Sequence, residues 1–346
     1  MKPLSRAFAA GLSAAALIVP LAACSSPGEQ APTTGPCAGE SLRVSQSTSD
    51  SLLYTADAVA QDKDLYAEQG LQIETMSLGG GSEAIQALVG GSVDVTISAH
   101  PTVISTRAEG GPVVSFATLM DDLLFDLGMK SELAPAERDE ESVLNALRGK
   151  RIGVTSAGSA SDQAIRHMAK QAGMNPESDF EIVPTGGAAE ITASFANGGI
   201  DAYLISPPAS RIAADKGDGE IVLNLAQGEA PSTENIMWLT ALTNEETLAD
   251  RQSALGCYAT ALQNAMQLIK NEPEEAKQVV RDEFEQITDE QFNDAFDQVV
   301  EATADSVAVD PELADASFDF ATTIGGKLNI DSAKTYTTKV TDQVVK

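Results

Sequence analysis

Two stretches of this chain are versions of one another: 79-GGGSEAIQALVGGSVDVTISAHP-101 and 186-GGAAEITASFANGGIDAYLISPP-208. They align at one constant offset, 107 residues. Gly79, Gly80, Glu83, Gly91, Asp94 and Pro101 meet Gly186, Gly187, Glu190, Gly198, Asp201 and Pro208. The apolar positions agree as well, Leu88 with Phe195, Val93 with Ile200 and Ile97 with Leu204. Upstream, Leu42-Arg43-Val44-Ser45 matches Lys150-Arg151-Ile152-Gly153 at nearly the same offset. Each copy reads as a glycine turn that opens a helix, a Gly or Asn-Gly stop, and a short apolar run.

Working outward, each copy predicts one unit of alternating strands and helices. In the first, strands fall at 42–46, 71–76 and 93–98, with helices at 52–69 and 82–89. In the second, strands fall at 151–154, 180–184 and 202–205, with helices at 161–172 and 188–196. Such alternation predicts a parallel sheet covered on both faces. Two copies predict an α/β protein of two lobes, and the roughly 310 residues left beyond the N-terminal signal and tether exceed what one core usually holds. Residues 234–243 predict another buried strand, and 131–142 an acidic surface loop. Beyond residue 255 the chain is helical, with amphipathic stretches at 276–284 and 290–300, and could pack on either lobe.

The N-terminus predicts export. Lys2 and Arg6 precede an apolar run at 7–19, too short to span a bilayer. The following Leu21-Ala22-Ala23-Cys24 resembles the bacterial lipobox, whose cysteine is lipidated and becomes the first mature residue. That resemblance implies a signal peptide at 1–23, a lipid on Cys24 and a protein held on the outer face of the cell membrane. Residues 24–41, rich in Ser, Pro, Thr and Gly, predict a disordered tether. With Cys24 lipidated, Cys37 and Cys257 remain, and an even pair in an exported chain suggests a disulfide, two separate thiols being the alternative.

The net charge of -29 argues against nucleic-acid binding, which needs a basic footprint, and against burial in an anionic membrane surface. Its simplest effect is a solubilising surface. No GxSxG, HExxH, P-loop or CxxC pattern occurs, so neither metal nor cofactor is expected.

Together the lipobox, 67-AEQGLQIE-74, the stretch 79–98 and 147-LRGKRIGVTSAGSASD-162 carry a family resemblance. They resemble the substrate-binding components of ABC importers for nitrate, sulfonates, taurine and thiamine-pyrimidine precursors. The likeness covers residues 42–243 well and the tail loosely. It implies a type II periplasmic-binding-protein fold with a ligand cleft between lobes, in which the chain crosses over and returns. Lobe one would then be 42–122 with 236–346, and lobe two 123–235. It also implies ABC permease subunits as partners and a monomer that captures its ligand by hinge closure.

Ligands of open α/β sheets sit outside the carboxyl ends of the strands. Four turns rich in Gly, Ser or Thr occupy those ends. They supply Ser47, Thr48 and Asp50; Gly80, Gly81 and Ser82; Thr155, Ser156, Ser159 and Ser161; and Gly187 and Ala188. Helix-start N–H groups suit a sulfonate, phosphate or carboxylate, although the same residue types also serve as plain helix caps. His100, after the third strand, and Trp238, in the returning strand, are further candidates, each with a core role as the alternative. Asp121 and Asp122, near the crossing, could meet an amine or simply be solvated. No arginine falls in the four turns. A small polar or anionic solute is expected, whether sulfonate, nitrate or pyrimidine-like. An enzyme on the same fold, or a lipid-anchored sensory or adhesive protein, are the competing classes.

Overall fold

The computed structural model describes residues 34–46, 51–78, 81–325 and 328–344. The expected signal peptide and Cys24 lie outside the described residues. Residues 34–41 of the predicted tether are described and are tied into the fold. Cys37 is 3% exposed, its Sγ lies 2.06 Å from that of Cys257, and its N–H bonds Gln69 O at 2.9 Å. Gly70 of the quoted 67–74 motif packs against this segment so closely that a Cβ would come within 2.5 Å of Thr34 O.

Strands β1 (Glu40–Gln46), β2 (Leu71–Ser77), β3 (Val95–Ala99) and β4 (Val113–Met120) join the late β10 (Leu239–Asn244) in one sheet, ordered β2-β1-β3-β10-β4. Strands β5 (Asp126–Lys130), β6 (Arg151–Val154), β7 (Glu181–Pro184), β8 (Ala202–Ile205) and β9 (Gly219–Asn224) form the second, ordered β7-β6-β8-β5-β9. The two orders are the same pattern. Neither sheet is purely parallel, contrary to expectation, because β10 and β5 run antiparallel to both of their neighbours. Each is the strand by which the chain enters a sheet from the other lobe. Local pattern carries no strand direction, which explains the difference.

Helices α1 (Thr55–Asp62), α2 (Leu65–Glu68), α3 (Gly81–Val89) and α4 (His100–Ala108) clothe the first sheet. The helix predicted over 52–69 is broken: a 3-10 turn Leu52–Tyr54 precedes α1, and Asp64, at φ 54°, separates α1 from α2. Helices α5 (Glu140–Ala146), α6 (Ala160–Gln171), α7 (Ala188–Ala196) and α8 (Ala209–Gly217) belong to the second sheet. The supposed loop 131–142 contains a 3-10 turn Ser131–Leu133 and the start of α5, capped by Asp139.

The repeat acquires physical meaning here. Gly91 and Gly198 take φ of 70° and 71° just past α3 and α7, a conformation favouring glycine. Ser92 N–H then reaches Ala87 O at 2.9 Å and Gly199 N–H reaches Ser194 O at 2.8 Å, the same helix-ending bond twice. Asp94 accepts from the N–H, Nε and Nη2 of Arg43 at 2.9–3.1 Å, and Asp201 accepts from the same three groups of Arg151 at 2.7–3.1 Å. Each clamp ties the first strand of its repeat unit, β1 or β6, to the entry of the third, β3 or β8.

The tail then covers both lobes. Helices α9 (Glu245–Asp250), α10 (Gln252–Asn271) and α11 (Pro273–Val280) follow β10, and α10 and α11 pack on α1. By contrast, α12 (Asp289–Ala302) touches both the 3-10 turn Leu52–Tyr54 and the turn Leu225–Gln227 that follows β9. Helix α13 (Pro311–Gly325) packs on α4 and on α6, with Phe320 stacked 4.2 Å from His167. The outer edge of β4 is closed by backbone bonds to Ala304, Val307, Thr335 and Thr337, so no bare strand edge invites pairing with another chain there.

Candidate ligand-binding cleft

The connections place the cleft. Strand β4 ends at Met120, on the carboxyl-end side of the first sheet, and β5 begins at Asp126 after five residues, on the carboxyl-end side of the second. The return from β9 to β10 likewise starts and finishes on those sides, since Leu239 pairs with Ala99 and Asn224 with Asp126. The two sheets therefore meet by the ends at which α/β ligands bind. The crossings are joined to each other. Trp238 N–H bonds Met120 O at 3.0 Å, and the Phe125 ring stands edge-on to Trp238 at 5.6 Å. Asn235 sits there at φ 55°.

A concave pocket of about 470 Å³ opens at the carboxyl ends of β1 and β2. It is bounded by Gln46 and Ser77, by the Ser51–Thr55 approach to α1, by Gln61 and Asp62 further along α1, and by Phe284 from the tail. Ser51 caps the entry, accepting from Leu53 N–H at 3.4 Å. Beneath this wall lies Asp57, fully buried, whose carboxylate accepts from Tyr66 Oη at 2.5 Å, Gln61 Nε2 at 2.8 Å, Gln46 Nε2 at 2.9 Å and Tyr258 Oη at 3.2 Å. Burial pushes its pKa up, and the four donors oppose that rise. Tyr66 and Tyr258 stack at 5.2 Å behind it.

Of the residues expected to touch ligand, Ser47, Thr48, Asp50 and Gly80 lie outside the described residues, as does the side chain of Ser82. Gly81 opens α3 with free space around it. On the second lobe, Thr155 and Gly186 bring two turns together through Gly186 N–H to Thr155 O at 3.0 Å. The hydroxyls there are engaged locally: Ser159 caps α6 through Asp162 N–H at 3.3 Å, receives Ser156 N–H at 3.4 Å, and lies 3.1 Å from Ser161 Oγ. Gly187 caps α7 with its backbone, and Ala188 is exposed beside it.

Two candidates are corrected. His100 is fully buried, with Nδ1 2.8 Å from Ser115 Oγ and Nε2 3.3 Å from Thr335 Oγ1, and burial pushes its pKa down to about 3. It is a neutral core histidine. Trp238 is 1% exposed, enclosed by Phe125 and by Phe320 at 6.2 Å, and it packs the crossing rather than the pocket. Asp121 and Asp122 are half-buried there, and burial together with the Asp121 charge pushes Asp122 up to about 6.

Asp57, Gln46, Gln61 and Phe284 were missed from sequence. The one available signal was Asp57, an acid inside a helix of otherwise small and apolar neighbours. Phe284 comes from a tail with no counterpart in the repeat.

These features define a two-lobed protein of the periplasmic-binding-protein fold. Residues 54–276 match the family model described as "NMT1/THI5 like", and the chain belongs to that family. YtlA of Bacillus subtilis (strain 168), described by inference as a binding protein, is 24% identical over 288 residues, 80% of each chain. A solved protein of Bordetella bronchiseptica RB50 superposes with a TM-score of 0.76 at 19% identity, over 88% of this chain and 96% of its own. The periplasmic aliphatic sulphonate binding protein SsuA of Escherichia coli superposes at 0.67 and 16% identity, over 86% and 92%. At such identities these structures establish the fold alone.

Proposed function

We propose that this chain is the extracytoplasmic solute-binding component of an ABC importer. It holds one small polar molecule between its sheets by hinge closure and delivers it to permease subunits. The observation that carries this reading is topological: two crossings join the carboxyl ends of both sheets, and a pocket sized for a small solute opens at the carboxyl ends of β1 and β2. Family membership and the binding role named for YtlA support it.

In this reading the lobes are 42–122 with 236–346, and 123–235, and the hinge lies at the crossings near Asp122 and Asn235. Ligand first meets the lobe-one pocket, and the turns after β6 and β7 close over it. The signal at 1–23 directs export, and lipid on Cys24 holds the protein, as a monomer, on the outer face of the membrane. Among the described residues no helix is long and apolar enough to cross a membrane. The role is capture rather than catalysis.

Small-angle scattering tests the mechanism. The radius of gyration should fall when a bound solute is present and recover when it is dialysed out. Superimposable profiles with and without solute would refute hinge closure.

A further inference from the structure

We infer that Asp57 is a positioning residue for the lobe-one pocket: it touches no solute itself, and it fixes two glutamines that line the pocket; the inference rests on the binding reading above. Asp57 sits within α1 with no exposure and does not line the pocket. A buried carboxylate costs stability that an apolar residue packed in its place would not. Its two oxygens face different groups. Oδ1 accepts from Tyr66 Oη at 2.5 Å and from Tyr258 Oη at 3.2 Å. Oδ2 accepts from Gln46 Nε2 at 2.9 Å and from Gln61 Nε2 at 2.8 Å, and both glutamines line the pocket.

Exposure separates packing from positioning. Tyr66 and Tyr258 are buried, so the Oδ1 bonds satisfy hydroxyls that water does not reach. Gln61 is exposed and Gln46 half-buried. Water serves such amides nearly as well, so the Oδ2 bonds add little to stability. What they do is remove rotamer freedom before a solute arrives. A glutamine ordered only on binding weakens affinity by the freedom it loses, and one ordered beforehand does not.

The same oxygen reaches both strands that end at the pocket. Gln46 is the last residue of β1. Gln61, in α1, also donates from Nε2 to Thr75 Oγ1 of β2 at 3.2 Å, and Thr75 is another lining residue. Asp57 thus holds side chains from β1 and α1 directly, and through Gln61 it ties them to β2.

The test compares Asp57→Leu, which keeps the size and removes both acceptors, with Asp57→Asn. The asparagine carbonyl still accepts from the glutamines while its N–H groups face the tyrosine oxygens. In NMR spectra of the dialysed protein, the Nε2 protons of Gln46 and Gln61 should exchange with water about tenfold faster in Asp57→Leu and near the wild-type rate in Asp57→Asn. Backbone amides of β1 and α1 should stay protected in both. In thermal-shift titrations with an ultrafiltrate of concentrated growth medium, the concentration for a half-maximal shift should rise about tenfold in Asp57→Leu. Added to Gln46→Leu/Gln61→Leu, the same substitution should raise it no further. Glutamine exchange indifferent to Asp57→Leu, or fully additive losses in the combined variant, overturns the inference. Should Asp57→Leu fail to fold, wild-type exchange decides: Gln46 and Gln61 must exchange more slowly than exposed Gln72 of β2, and equal rates overturn it. A wild type that the medium does not stabilise counts against the binding reading, and the exchange rates then decide the positioning role by themselves.

Discussion

Replacing Asp126 by Asn should flatten the pH dependence of stability between pH 4 and pH 7. Asp126 has no exposure, its Oδ2 accepts from Ser210 Oγ at 2.5 Å and faces Arg211 Nε at 3.4 Å, and its Oδ1 has no partner. Burial pushes its pKa from 3.8 up to about 6, while Arg211, Ser210 and Gln298 pull it down and Glu229 pushes it further up. The folded protein therefore holds this proton in a range where the unfolded chain has released it. Stability from Asp126 is full below pH 4 and is lost as pH rises toward the folded value. A rise of about two pKa units corresponds to about 3 kcal/mol. An amide keeps the Ser210 hydrogen bond and has no charge to desolvate. Urea denaturation of the wild type and Asp126→Asn at half-unit steps of pH isolates the effect, because every other titrating group cancels in the difference. The curves should lie close at pH 4 and diverge by about 3 kcal/mol at pH 7, the variant being the more stable. Parallel curves would refute the assignment.

Three further outcomes follow from the packing. Asp94→Asn should cost about 2 kcal/mol in chemical denaturation and Asp201→Asn less, because the Asp94 carboxylate is 9% exposed against 23% and also has Arg251 at 3.5 Å. Hydrogen bonds from Arg151 hold Asp201 below the usual carboxylate range, so its contribution is present at neutral pH and should disappear as pH falls below about 4. Trp238 is the sole tryptophan, so its emission should be blue-shifted and poorly quenched by iodide, and Trp238→Ala should cost about 4 kcal/mol by thermal or urea unfolding. Reducing the bond between Cys37 and Cys257, which are 220 residues apart, should remove up to about 5 kcal/mol of stability by melting with and without reductant.

Much of the architecture was legible because the repeat is built from residues whose backbone or pairing demands are strict. Glycine at 91 and 198 answers a left-handed turn, and aspartate at 94 and 201 answers an arginine on the first strand. The strands at 151–154 and 202–205 and the helix at 188–196 matched to the residue. Strand direction was not legible, since β5 and β10 owe their antiparallel placement to where the chain enters each sheet. His100 read as a site residue because it follows a strand, but burial against Ser115 and Thr335 is a tertiary fact. The pocket was half legible: Ser51, at the end of one predicted turn, lines it, but Asp57 lies behind its wall and Phe284 comes from a tail that carries no local mark of its destination.

Native mass spectrometry of the exported protein, compared with the same sample after denaturation, tests the central claim most directly. The account predicts a single small molecule bound one to one, released on unfolding and small enough for a pocket of about 470 Å³. A protein that carries no solute, and gains none when incubated with concentrated growth medium, would contradict it.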